Sequence, residues 1–144
     1  MISKNKLKSY IELARIDKPI GIYLLLWPAI LGLLLAGTID EIKIINLLIV
    51  IIGSILVRSC GCVINDISDY KIDKLVSRTV GRPLATGALS LSEAWVFFLF
   101  LGLMSISLLL LTNPLTIKMG MFFAIFITVY PLTKRFFKAP QFFL

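Results

Sequence analysis

Four residues within nine positions, Asn65, Asp66, Asp69 and Asp73, carry side-chain oxygens at spacings that a single helix can bring to one side. Asp66, Asp69 and Asp73 stand at i, i+3 and i+7, while Asn65, Asp69 and Asp73 stand at i, i+4 and i+8. Either set lies on one helical face. Carboxylates stacked in this way repel one another unless a cation sits between them. Oxygen donors alone point to a hard ion, most naturally Mg²⁺, which keeps several waters and shares its shell with substrate phosphates. The same acids also fit a solvated loop at a membrane surface, and spacing alone leaves both readings open.

The residues that follow favour an anion partner. Arg78 and Arg82 stand at i, i+4 just after the acids, and guanidinium groups take phosphate oxygens in forked geometry. Lys134 and Arg135 add cations after Tyr130-Pro131. All four also satisfy the excess of positive charge expected of cytoplasmic segments, or could pair with the neighbouring acids. Arg58 is different, because it lies within an apolar run, seven residues before Asn65. An ionisable residue at that depth costs roughly 2.5 to 3.5 kcal/mol to insert and is expected to face a cavity and a partner. Two helical turns place it on the face of the acidic ladder, about 10 Å deeper.

The elements that must position these groups are membrane helices. Apolar residues make up 58 % of the 144-residue chain and charged residues 16 %, and the mean hydropathy is +0.96. That excludes a water-soluble globule. Histidine is absent, which excludes Ser-His-Asp triads and His-ligated zinc or haem. Cys60 and Cys62 stand one residue apart inside an apolar run, a spacing that seldom closes a disulfide within a helix, and read as reduced packing residues.

Residues 20–37, 44–65, 91–112 and 115–133 form four apolar stretches of membrane-crossing length. A fifth apolar run begins at Ala139 and stops at Leu144. The expected fold is therefore all-α, a multi-span transmembrane bundle of four complete spans plus the start of a fifth, in one domain over residues 1–144. The first stretch reads as a span, being longer than the usual apolar core of a signal peptide and followed by three more. Trp27-Pro28 and Tyr130-Pro131 mark expected kinks. The net charge of +7 would suit a nucleic-acid binder, but its distribution follows membrane topology. Lys4, Lys6, Lys8, Arg15 and Lys18, then Lys71, Lys74, Arg78 and Arg82, then Lys134, Arg135 and Lys138 all fall on one side. That side is cytoplasmic, together with the N-terminus. No nucleic-acid partner is expected.

These motifs together resemble the UbiA superfamily of membrane-embedded aromatic prenyltransferases. Asn65-Asp66-x-x-Asp69-x-x-x-Asp73 looks like that family's first aspartate-rich motif, followed by Arg78-Thr79 and Arg82-Pro83-Leu84. The segment Arg15-Ile16-Asp17-Lys18-Pro19-Ile20-Gly21, leading to Trp27-Pro28, and Tyr130-Pro131-x-x-Lys134-Arg135 resemble the 4-hydroxybenzoate polyprenyltransferase branch more than the haem O, menaquinone or chlorophyll branches.

The resemblance implies transfer of a polyprenyl group from its diphosphate to the ring of 4-hydroxybenzoate, a step toward ubiquinone, in a bacterial or mitochondrial inner membrane. It implies Mg²⁺ held by Asn65, Asp69 and Asp73 with Asp66 in support. The diphosphate would meet Arg78, Arg82 and Lys134, and Tyr130 would lie near the reacting allylic carbon. Asp69, Asp73 and Tyr130 are thus the expected catalytic residues. Arg58, a deep cation with no acid at its depth in the other spans, would receive the carboxylate of the aromatic acid. Family members have about nine spans and a second aspartate-rich motif, whereas here no acid follows Glu93. The chain thus resembles an N-terminal half that needs a C-terminal half to complete its site. Another aromatic acceptor, or a non-catalytic membrane fragment that binds metal or lipid, is the alternative.

Overall fold

A computed structural model describes residues 4–36 and 44–133, with side chains for residues 5–36 and 44–130. Among the described residues there are six helices and no strand: α1 Lys4–Leu13, α2 Ile20–Leu35, α3 Ile44–Asp73, α4 Pro83–Thr86, α5 Leu91–Leu109 and α6 Pro114–Thr133. Four of these follow the apolar stretches read from the sequence. Two of them, α3 and α5, are long and apolar enough to cross a membrane, and α2 and α6 are shorter apolar helices over Ile20–Leu35 and Pro114–Tyr130. The expected fifth run and the cations Lys134, Arg135 and Lys138 lie outside the described residues.

Local chemistry sets the helix ends. Asn113 Oδ1 accepts the Thr116 N–H at 2.9 Å, with Pro114 opening α6 where no amide hydrogen is needed. Ser90 and Glu93 form a reciprocal capping box at the start of α5. The α3 helix stops where the Thr79 hydroxyl turns back and donates to the Asp73 carbonyl at 3.0 Å. α4 closes on Gly87, which takes φ +78, a conformation that suits glycine. α2 runs through Pro28 to Leu35.

Two helices escape a hydropathy reading. α1 is short and polar, but it brings Tyr10 edge-on to Phe97 at 5.0 Å and Lys6 Nζ to Glu93 at 2.6 Å. That hydrogen bond raises the Lys6 ammonium above its ordinary value of 10.5 and holds the Glu93 carboxylate down to about 2, so the link holds through neutral pH and is lost in alkali or in strong acid. The main buried cluster, with Leu13, Val63, Ile67, Leu84, Leu89, Ala94 and Leu101, gathers α1, α4, the later half of α3 and the first half of α5. Tight packing is thus concentrated at the charged end of the bundle. Elsewhere large apolar side chains such as Leu24, Leu35 and Leu103 remain exposed, as a lipid environment requires.

Cys60 and Cys62 are both free thiols, in keeping with their reading as packing residues. Ser59 is buried, and its hydroxyl is the one buried side-chain polar atom among the described residues without a hydrogen-bond partner. A stranded hydroxyl costs about 1 to 3 kcal/mol. Ser59→Ala is therefore expected to raise stability by about 1 kcal/mol, read as a higher thermal midpoint in detergent. A lower midpoint would show that the hydroxyl is bonded.

Candidate functional site

The α3 helix is unbroken from Ile44 to Asp73, which meets the condition on which the shared face of the acids depends. Thirty residues span about 45 Å at 1.5 Å each, some 15 Å more than a hydrocarbon core. The oxygen ladder occupies the last nine positions of that excess.

Asp66 is 1 % exposed, and two arginines converge on it. Its Oδ1 accepts from Arg15 Nη2 at 3.2 Å and from Arg82 Nη1 at 3.1 Å. The same Arg82 nitrogen donates to Asp73 Oδ2 at 2.8 Å. Two stacked carboxylates thus have a cation between them, as the spacing demands, and here it is a guanidinium. Removing one member of such a buried set strands its partner, at a cost of about 3 to 5 kcal/mol.

In the sequence Arg15 stands only as part of a motif and a positively charged segment, with no site role to mark it. Its backbone is unusual: φ is +58, and no other non-glycine among the described residues has a positive φ. The Ile16 N–H donates to the Ile11 carbonyl and the Arg15 N–H to the Glu12 carbonyl. That is the helix-ending motif in which glycine usually takes the left-handed place. A side chain there is strained, and the Asp66 ion pair offsets the strain. The available signal was the chain's turn between a polar helix and Pro19, which needs one left-handed residue, although Ala14 and Arg15 supply no glycine.

A cavity of about 630 Å³ is lined by Arg15, Arg58, Asn65, Asp66, Arg82 and Tyr130, with Phe123, Phe126 and Ile127 of α6 as its apolar wall. Five of the expected site residues therefore share one space. Asp73 joins them through Arg82, and Asp69 is half-buried on the same helix. Arg78 is not in this lining. It is exposed and lines a second cavity with Lys18, Asp17 and Glu12. Arg15 and Arg82 line both spaces, so the arginine pair forms the partition between them. Lys134 lies outside the described residues. Among the described residues Arg58 has no carboxylate within ion-pairing distance.

No three acidic or thiol side chains converge on one point among the described residues, and Arg15 and Arg82 engage Asp66 and Asp73. The donor set nonetheless fits a hard cation in its chemistry. It consists of oxygens alone, and a positive group already sits between two of them.

An all-helical chain whose long apolar helices end in a charged cavity is, as a class, a polytopic membrane protein built around an ionic site. The chain belongs to the UbiA prenyltransferase family, whose family model matches residues 25–144. It is 44 % identical over its whole length to a 4-hydroxybenzoate octaprenyltransferase of Shewanella loihica and 46 % identical to that of Shewanella woodyi. It spans about half the length of each of these relatives. A solved structure described as digeranylgeranylglyceryl phosphate synthase in membranes superposes with a TM-score of 0.74 at 32 % identity. That match covers 88 % of this chain and 43 % of the other.

Proposed function

We propose that this chain supplies half of the active site of a Mg²⁺-dependent enzyme that moves a polyprenyl group from its diphosphate to the ring of 4-hydroxybenzoate. The observation that carries the reading is the shared cavity. It sets an intramembrane guanidinium, Arg58, with no carboxylate partner among the described residues, about two helical turns from the oxygen and arginine cluster. The relatives' names, 4-hydroxybenzoate octaprenyltransferase, support both substrates.

In this reading Arg58 forks the carboxylate of the aromatic acid and orients the ring. Arg82, Arg78 and Lys134 receive the diphosphate, and the aromatic wall of Phe123, Phe126 and Tyr130 flanks the allylic carbon. Asn65, Asp69 and Asp73, with Asp66 in support, would hold Mg²⁺, which neutralises charge on the departing diphosphate. As the carbon–oxygen bond breaks, the allylic cation is met by the electron pair of the phenol ring. The new carbon–carbon bond forms, and the ring sheds a proton to regain aromaticity. Asp66 and Asp73 hold Arg82 in a fixed position, so little reorganisation of that group is needed when negative charge builds up beside it. The bundle has four spans, with its N-terminus on the cytoplasmic side of the inner membrane.

The test uses the complete enzyme that carries this chain. It is expressed from its own reading frame or, where that frame ends at Leu144, joined to the C-terminal half of the Shewanella loihica relative. Membranes given octaprenyl diphosphate and labelled 4-hydroxybenzoate are expected to pass label into the lipid extract. Residues 1–144 alone are expected to pass none, even with both substrates saturating. No transfer by the complete enzyme, or transfer only to a different acceptor, would overturn the assignment.

A further inference from the structure

We propose that Gly21 is the seat of the Arg58 guanidinium, and that the missing side chain at position 21 fixes where the aromatic acid's carboxylate is met. This deepens the reading of Arg58 given above and rests on it.

A Cβ built on Gly21 would stand 2.6 Å from Arg58 Nε, 2.7 Å from Nη2 and 2.9 Å from Cζ. Real side chains do not approach so closely, so an alanine and the present guanidinium cannot both be there. The backbone gives glycine no other reason to be at position 21. It lies in the first turn of α2, and Gly87 is the one described glycine with a positive φ. Alanine is the better helix former. Gly32, Gly53, Gly81 and Gly102 have open space where a Cβ would go, and Gly120 is approached by the apolar Leu109. Gly21 alone among the described glycines is pressed by a charge.

The contact also orients the charge. Nε and Nη2 stand nearer than Cζ, so that edge of the guanidinium is turned to α2, which leaves the Nη1 side for a carboxylate in the cavity that Arg58 lines. The pressed atoms are the far end of a flexible side chain. A methyl group at position 21 therefore displaces the guanidinium rather than parting α2 from α3, and displaced from α2 it enters the space meant for the aromatic ring. Gly21 is in these terms a positioning residue, acting through Arg58.

In the complete enzyme, Gly21→Ala is expected to raise the KM for 4-hydroxybenzoate about tenfold, short of the roughly hundredfold loss that an ångström of misplacement can cause, because the flexible guanidinium can partly reach back. The KM for the prenyl diphosphate should stay within about twofold, since the groups that meet it are elsewhere on α3 and beyond it. The thermal midpoint should not fall. In an Arg58→Ala background, Gly21→Ala should change the aromatic KM no further. If Arg58→Ala itself leaves that KM unchanged, the parent reading of Arg58 fails. If Arg58→Ala raises it but Gly21→Ala does not, or the two effects add in full, the role of Gly21 alone is overturned. Should Gly21→Ala fail to fold, recovery of folded protein by Arg58→Ala in the same chain identifies the guanidinium as the group that needs the space. Failure of that double variant overturns the proposal.

Discussion

Asp73→Asn and Asp69→Asn are each expected to leave about one hundredth or less of the prenyl transfer of the complete enzyme, and to remove its response to Mg²⁺. Asparagine keeps the shape and the helix while deleting one negative charge, so the loss isolates the charge itself. For Asp73 the effect has a second source. Its Oδ2 anchors Arg82 at 2.8 Å, and a neutral amide would leave that guanidinium with Asp66 as its one carboxylate among these partners. Arg82 and Arg15 would then compete for the one carboxylate they share, and Arg82 would be held less firmly. Rates measured across a Mg²⁺ titration, with circular dichroism to confirm helix content, decide it. Near-normal turnover of either variant at limiting Mg²⁺ would remove the acids from the metal site.

Arg58→Ala is expected to raise the KM for 4-hydroxybenzoate by about a hundredfold, in line with about 1.5 to 3 kcal/mol for a charge-assisted hydrogen bond, and to leave the KM for the prenyl diphosphate nearly unchanged. Arg58→Lys should recover only part of the loss, because an ammonium keeps the charge but not the planar fork. Measuring both constants in membranes separates the possibilities. A weakened diphosphate KM with an intact aromatic KM would move Arg58 to the diphosphate subsite. No change in either would make it a structural residue.

The part of the site that lies along one helix was legible in the sequence, because helical spacing is local. The i, i+3, i+4 and i+7 offsets of Asn65, Asp66, Asp69 and Asp73 require only that α3 continue past the apolar run, and it does. The depth of Arg58 follows from the same count. Contacts between helices were not legible. Arg78 and Arg82 look equivalent as a pair of cations four residues apart, yet the Thr79 hydroxyl folds the chain back on Asp73, and only Arg82 turns inward to the acids. α1 was missed because its length and polarity give no hydropathy signal, although half-buried Tyr10 and buried Leu13, with Ala14 just after it, make its inner edge. The approach of Arg58 to Gly21 depends on how α2 is registered against α3, which no spacing within either helix encodes. The apolar wall on α6 was equally hidden, since Phe123 and Phe126 look the same in sequence whether they face lipid or a substrate.

Because Arg58 and the oxygen ladder sit on one uninterrupted rod, the interval between them is a matter of counting, not of folding. Adding or deleting a single residue between Arg58 and Asn65 would turn one end of α3 by about 100° relative to the other and put the two groups on different faces. Substitutions can widen the chamber, change its wall or retune its charges, but the seven-residue interval behaves as a gauge length. On the proposed function, variation that alters the acceptor or the tail would be written in side chains around the cavity. The frame of this stretch of α3 tolerates no shift in number.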